Sequence, residues 1–329
     1  MRRSCFVFLI FLCAFSSINA QTVFQRSFIK MGSAFDLTLV AKNQVEADQF
    51  FEQSIAEIDR IERLISSWDQ ASETTQVNQM AGIEAVKVSK ELFDLVLRAK
   101  AIAQLTNGAF DPTYASVDKI WTFDGRSIGE PKAAIISASV AKIGYEKIEL
   151  DPLESSLYLP LKGMKIGFGA IGKGYAADRV KSLLQKHGVS AGIVNASGDM
   201  SAWGVQPDGK PWQIGLVNPK NKDNIFAWFP INDQAVVTSG DYEKFVLING
   251  KRYGHIINPR TGYPSQGVIS CTVFAPKAEL ADALSTALFV MGVQTGIDFI
   301  DQLQQVEAIM IDDAGKVHTS KNIQIDETA

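Results

Sequence analysis

The residues best placed to do chemistry lie in Gly169-Ala170-Ile171-Gly172-Lys173-Gly174-Tyr175-Ala176-Ala177-Asp178. One lysine sits in a glycine-rich turn that runs into a helix with an apolar stripe. Backbone N–H groups at a helix start, with a cation beside them, form a seat for phosphate. The spacing is not that of a Walker loop, which needs four free positions and a Lys-Ser/Thr pair. The same glycines also suit a strand-to-helix turn that only needs close packing.

Asp282 and Thr286 stand four apart in a segment of small and apolar residues, so a helix puts both on one face. A carboxylate and a hydroxyl facing inward from such a helix suit magnesium, which takes hard oxygen ligands and leaves room for phosphates. The alternative is an N-capping aspartate with a back-bonding threonine. In Gly108-Ala109-Phe110-Asp111-Pro112 the proline holds Asp111 extended, and Phe110 can lie against a flat ring; a turn with a capping aspartate fits as well. His255-Ile256-Ile257-Asn258-Pro259-Arg260-Thr261-Gly262 runs from a strand into a rigid turn. His187 reads as a helix C-terminal residue and His318 as part of a terminal hairpin. His255 is therefore the histidine placed for general base work or hydrogen bonding, with a structural role as the alternative. Two polar turns, Asn195-Ala196-Ser197-Gly198-Asp199 and Thr238-Ser239-Gly240-Asp241-Tyr242, follow β runs and can line a pocket at strand ends. The chain carries no cysteine/histidine metal spacing and no serine-hydrolase elbow.

These groups need elements to hold them. Alternation over 23–29 and 35–40 predicts two short strands joined at Met31-Gly32-Ser33. Phe51, Ile55, Ile58, Ile61 and Ile65 recur at helical spacing, and a helix ending near Ser67 follows. Residues 72–78 read as a polar loop or a short capped turn. A second helix starts after Ser89 and stops at Asn107-Gly108. Short β runs fill 147–166, and the glycine-rich segment leads a helix to about His187. Strands near 192–194, 212–217, 226–229, 235–238, 245–248 and 268–274 then dominate. A helix over 280–291, another near 294–303 and a terminal hairpin complete the pattern. Grouped strands with hairpin-like turns predict an α+β fold with a mixed, largely antiparallel sheet and packed helices.

Arg2 and Arg3 precede an apolar run from Cys5 to Phe15, then Ser16-Ser17-Ile18-Asn19-Ala20. This is the pattern of a cleavable signal peptide over residues 1–20, too short to span a membrane. Phe11-Leu12 before Cys13 makes a poor lipid-attachment site, so an exported, periplasmic protein that is soluble or weakly membrane-associated is expected. Cleavage leaves Cys271 as the one cysteine, and stability must come from a packed core. The formal charge of −4 becomes more negative when Arg2 and Arg3 leave. Such a chain without basic runs argues against a nucleic-acid surface, and any anionic ligand must be held by local groups.

In sequence order, Met31-Gly32-Ser33, Ser72-Glu73 with Asn78, Gly108 to Pro112, Gly169 to Asp178, the Asn195 and Thr238 turns, His255 to Gly262, and Ala281-Asp282-Ala283 with Thr286 resemble the ApbE family of FAD:protein FMN transferases. The resemblance runs over nearly all of residues 21–329. It implies one ApbE-like domain and an activity that moves FMN from FAD onto a threonine or serine of a partner protein, releasing AMP. It implies a magnesium site made by the Ala170 carbonyl, Asp282 and Thr286. FAD contacts would come from Met31, Trp68, Ala109, Phe110, Asp111, Gly167, Lys173, Ile256 and Ser285. His255, Lys173 and Asp111 would serve catalysis: His255 as base beside the pyrophosphate, Lys173 on its oxygens, Asp111 orienting the flavin or the nucleophile. The implied acceptor is a flavoprotein subunit of a membrane redox complex. Phe168-Gly169 stands where Leu-Gly is commoner, and Ser197 replaces a usual glycine. Two other readings use the same residues: a magnesium-dependent FAD pyrophosphatase with water as nucleophile, and a non-catalytic flavin carrier.

Overall fold

Two nine-residue strands, β1 (Thr22–Lys30) and β2 (Ser33–Ala41), open the fold. The computed structural model describes residues 21–117, 120–129, 131–218, 221–241 and 244–324, so the leader and Tyr242 lie outside the described residues. Met31 and Gly32 both take positive φ, 51° and 67°, which gives the tight primed turn that matches strand twist. Next come α1 (Gln44–Ile65), α2 (Glu73–Gln79), β3 (Val86–Lys87) and α3 (Lys90–Leu105). Asn43, Ser72 and Ser89 cap these three helices through side-chain oxygens on N–H groups of the first turn. Residues 73–79 are thus a helix where the sequence suggested a loop or capped turn. Its polar residues are consumed locally: the Thr74 hydroxyl donates to Leu64 O and the Thr75 hydroxyl to Ser66 O.

A 3-10 turn over Pro112–Ser116 is followed by β4 (Ser127–Ile128), α4 (Ala133–Val140), β5 (Glu149–Asp151) and β6 (Ser156–Tyr158). The second half holds α5 (Gly172–Lys186), β7 (Gly192–Ala196), β8 (Asp199–Trp203), β9 (Trp212–Asn218) and β10 (Asn221–Ile231). It continues through β11 (Ala235–Gly240), β12 (Phe245–Ile248), β13 (Lys251–Gly254) and β14 (Val268–Ala275). The helices α6 (Ala278–Met291) and α7 (Val293–Ile300) and the hairpin β15 (Glu307–Asp312), β16 (Val317–Thr319) end it.

Eight strands form the main sheet in the order β1-β2-β7-β8-β11-β14-β15-β16. Every neighbouring pair in it is antiparallel, as the grouped strands predicted. Period-two alternation splits each strand between two faces. Phe35, Leu37, Val194, Trp203, Val237 and Val273 meet the inner faces of α1, α5 and α6 in one core. Val40, Ala202, Val236, Phe274 and Ile309 meet Trp212, Ile214, Leu216 and Ile231 of the β9–β10 hairpin on the other face. Each large side chain buried in this way contributes about 1.5–3 kcal/mol. Cys271 is buried in the sheet. Among the described residues no helix is long and apolar enough to cross a membrane.

Candidate active site

The glycine-rich segment starts α5 where it crosses α6, and the crossing is unusually close. A Cβ on Gly174 would lie 2.2 Å from the carbonyl oxygen of Ala278, so only glycine fits. Asp178, one turn further along α5, supplies the cap that α6 lacks. Its carboxylate accepts from the N–H groups of Ala278 (3.1 Å) and Glu279 (3.0 Å) and from the Ser201 hydroxyl (2.9 Å). These contacts set the register between the helices. The Gly174 N–H then donates to the Asp282 carboxylate at 3.1 Å. Asp282 is the fifth residue of α6, so the N-cap reading of this aspartate is set aside.

Asp282 is 4% exposed. Burial, and then the Asp199 carboxylate beside it, push its carboxyl well above the ordinary range, while the Lys173 ammonium and the Gly174 N–H pull the other way. The Lys173 Nζ lies 2.7 Å from Asp199 Oδ2. Two buried carboxylates therefore share one ammonium and the positive end of α5, a site short of positive charge. Asp199 was visible in the sequence only as the end of a polar turn. Its role comes from β8 starting against the buried part of the cavity.

Around this floor a cavity is lined by Phe110, Asp111, Ala170, Lys173, His255 and Thr286, among others. The Asp111 carboxylate caps the 112–116 turn, accepting from Thr113 N (2.8 Å), Thr113 Oγ1 (2.6 Å) and Tyr145 N (2.9 Å). The capping alternative is thus realised, and the carboxyl also faces the cavity. His255 leads a turn tied down by Asn258 N to Tyr263 O (2.8 Å), Ser265 N to Ile256 O (2.8 Å) and Trp121 Nε1 to Gly262 O (2.8 Å). The Phe123 ring meets the His255 ring edge-on at 6.4 Å. The Arg260 guanidinium donates to Asn107 O, which joins this wall to the 108–111 wall.

Tyr114, not singled out in the sequence, also lines the cavity. Burial raises its phenol, and a bond from the Gly169 N–H opposes that. Its oxygen would lie 2.4 Å from a Cβ on Gly169, so this glycine is needed for the Tyr114 contact. Ser197 adopts φ 56° in the β7–β8 turn, followed by Gly198 at 97°, and the Gly198 N–H bonds Asn195 Oδ1 at 2.8 Å. The left-handed backbone at 197 is one that glycine adopts at least cost, so Ser197 carries some backbone strain.

The remaining predicted residues fall in three places. Ala109 and Ile256 line the cavity with the groups above. Gly167 and Ser285 lie behind it. Gly167 donates to Pro112 O at 2.9 Å, and a Cβ there would meet Ala115 at 2.8 Å. The Ser285 hydroxyl lies 2.8 Å from Ser239 Oγ and donates to Asp282 O at 2.9 Å. Met31 and Trp68 line a second cavity, with Ser66, Phe168 and Lys244, which shares Gly169 and Lys173 with the first. Trp68 is 77% exposed at its mouth. The cavities enclose about 130 and about 290 Å³. Pockets that bury small ligands start near roughly 300 Å³. A ligand with two ring systems joined by a pyrophosphate would use both, with its phosphates at the Gly169–Lys173 junction.

Among the described residues no three His, Cys, Asp or Glu side chains converge as a ligand set for a metal. Ala170, Asp282 and Thr286 all line the cavity and between them carry a carbonyl, a carboxylate and a hydroxyl. Such an oxygen set beside a charge-deficient floor fits magnesium, which is content with one or two carboxylates plus phosphates, and not a thiolate- or imidazole-seeking metal.

Comparison with known proteins identifies the family. A sequence model described as the ApbE family matches residues 31–310. An FAD:protein FMN transferase of Klebsiella pneumoniae (strain 342) is 33% identical over 293 residues, covering 88% of this chain and 89% of that protein. An FAD:protein FMN transferase of Treponema pallidum (strain Nichols) is 28% identical over 349 residues, with 98% and 96% covered. The crystal structure of the ApbE protein from Thermotoga maritima superposes with a TM-score of 0.84 at 30% identity, covering 91% of this chain and 97% of that one. The flavin transferase ApbE from Vibrio cholerae gives 0.82 at 26% identity, covering 92% and 98%. By its sequence pattern and its fold, the chain belongs to the ApbE family.

Proposed function

We propose that this protein transfers the FMN part of FAD to a threonine or serine hydroxyl of an acceptor protein and releases AMP. The observation that carries the reading is the junction of the two cavities, where Lys173, the start of α5, Asp199 and Asp282 meet. A dinucleotide bridging the cavities puts its pyrophosphate there. The flavin would lie toward Phe110 and Ile256 or toward Trp68, and the ring at Trp68 stacks on an exposed aromatic face.

The acceptor oxygen attacks the phosphorus that bears the ribityl chain, and the bond to the AMP oxygen breaks. His255 accepts the hydroxyl proton from its place on the cavity wall. The Lys173 ammonium holds non-bridging oxygens, while the Gly172 and Gly174 N–H groups are spent on Phe168 O and Asp282, and Tyr114 fixes the Gly169 turn. Held by the Ala170 carbonyl, Asp282 and Thr286, magnesium would supply positive charge at the pyrophosphate. The proposed setting is the exported side of the membrane, reached through the 1–20 leader, with a flavin-carrying subunit of a membrane redox complex as acceptor.

The test incubates the protein with FAD, magnesium and candidate acceptors, and reads intact acceptor mass together with AMP. Acceptor mass raised by FMN less water, with matching AMP, supports the reading. AMP without a modified acceptor supports the pyrophosphatase instead, and stoichiometric FAD without AMP supports the carrier. Asp282→Ala that keeps magnesium-dependent transfer would sink the metal site. His255→Ala with unchanged single-turnover transfer at saturating FAD would remove the base.

A further inference from the structure

The glycine-rich turn has fewer donors to offer a pyrophosphate than its sequence suggests. The Ile171 and Gly172 N–H groups both donate to Phe168 O, at 3.2 and 2.6 Å, and the Gly174 N–H donates to Asp282 at 3.1 Å. The Lys173 ammonium is shared with Asp199 at 2.7 Å. A pyrophosphate at the junction brings further negative charge to two buried carboxylates and one shared cation, and acceptor oxygens left unmatched in such a place are costly.

Tyr114 stands where a further donor is needed. It belongs to the 112–116 turn, in which Tyr114 N donates to Asp111 O at 3.0 Å and Val117 N to Tyr114 O at 2.9 Å. The bond from Gly167 N to Pro112 O lays residues 167–169 on this turn, so closely that a Cβ on Gly169 would lie 2.4 Å from the phenol oxygen. Gly169 lines both cavities, so that oxygen sits at their junction. A phenol oxygen can accept and donate at once. The Gly169 N–H occupies its accepting side, while Asp282 acts on it through charge and not through a hydrogen bond. The O–H is left for a ligand in the cavity that Tyr114 lines.

We infer that the Tyr114 hydroxyl donates to a non-bridging pyrophosphate oxygen, as a neutral donor working beside Lys173. The inference rests on the transferase reading above for the identity of the ligand. Being neutral, the phenol adds a hydrogen bond without filling the charge deficit that magnesium would meet. Its contribution is therefore independent of the metal. Its position is fixed before the ligand arrives, because the turn and the two glycines hold the ring, so little ordering entropy opposes the contact.

The test is Tyr114→Phe, which deletes the hydroxyl and keeps the ring. Equilibrium dialysis measures binding of FAD, and of riboflavin, which lacks the phosphates, each in EDTA and in magnesium. Expected is FAD binding weakened about tenfold in both conditions, as for one lost hydrogen bond to a charged group, with riboflavin bound as by the wild type. Retained riboflavin binding also reports a folded site. Unchanged FAD binding or an equal weakening of riboflavin overturns the inference. So does a loss confined to magnesium, which would put the effect in the Ala170 carbonyl next to Gly169. Normal FAD binding by Tyr114→Phe, beside a wild type that labels an acceptor and releases AMP, overturns the Tyr114 contact alone. An FAD-selective loss in both conditions, beside a wild type that labels no acceptor, keeps the contact and overturns the transferase reading. A wild type that does not bind FAD overturns both.

Discussion

Replacing Gly174 by alanine tests the claim that a helix crossing builds the site. In a free helix the change would be favourable by about 0.8–1 kcal/mol, because glycine gives up more backbone entropy. Here the new methyl would sit 2.2 Å from Ala278 O, 2.5 Å from Ala278 C and 2.9 Å from Asp282 Cβ. Two of those atoms are backbone in a helix that Asp178 caps, so the helices must part rather than a side chain swing aside. Overpacking of this kind costs about 1–3 kcal/mol, here at the upper end. Separation also breaks the 3.1 Å bond from Gly174 N to Asp282, worth about 1 kcal/mol or more when buried. The net is a loss of about 2–3 kcal/mol, or roughly 4–6 °C in Tm at about 2 °C per kcal/mol for a chain this long. Scanning calorimetry of metal-free Gly174→Ala reads the stability, and the rise in Tm on adding magnesium reads the position of Asp282. A variant melting at or above wild type would refute the reasoning, since propensity would then outweigh the contact.

Three further outcomes follow from local geometry. Trp68→Ala should leave Tm unchanged, because the ring is 77% exposed, yet weaken FAD binding about fivefold to tenfold, the equivalent of one ring stack near 1–1.5 kcal/mol; equilibrium dialysis measures it. Glu91→Gln should cost about 1 kcal/mol after solvent screening, because Glu91 accepts two bonds from Arg60 (2.7 and 2.9 Å) and one from Tyr175, tying α1, α3 and α5 together. The loss should shrink in high salt, as urea titrations at two salt concentrations would reveal. Burial, more than any other influence, holds the Asp111 carboxyl above its usual range. The native state therefore binds that proton more tightly than the unfolded chain, and this group erodes stability as pH rises from about 4 through its raised value. Asp111→Asn removes the erosion, so the Tm difference between variant and wild type should move in favour of the variant from pH 4 upward. A trend in the opposite direction defeats the assignment.

Much of the site was legible in the sequence because its segments carry local signals. The Gly169–Asp178 turn, the Asp282/Thr286 spacing and the His255 turn were all readable, and the structure lines one cavity with Lys173, Ala170, Asp282, Thr286 and His255. Alternation and grouping of strands likewise predicted an antiparallel sheet, since those periods reflect which face each residue buries. The 73–79 helix escaped because its buried residues are one valine and two threonines, and the threonine hydroxyls bond the end of α1 instead of marking an apolar stripe. Tyr114 escaped because its partner, Gly169, is 55 positions away in the numbering and no spacing rule links them.

Composition and local pattern alone determined the sheet-with-helices architecture. They also supplied the identity of the groups able to meet phosphate and a hard cation, because each of these is a property of neighbouring residues. Tertiary structure decided what those groups do to one another. The contact of Gly174 with Ala278 puts the α5 start against Asp282, and β8 delivers Asp199 to Lys173. That contact turns a lone lysine and a lone aspartate into a buried, charge-deficient floor. Distances between residues far apart in the chain fix burial and charge pairing, and those two quantities set the electrostatics of the site.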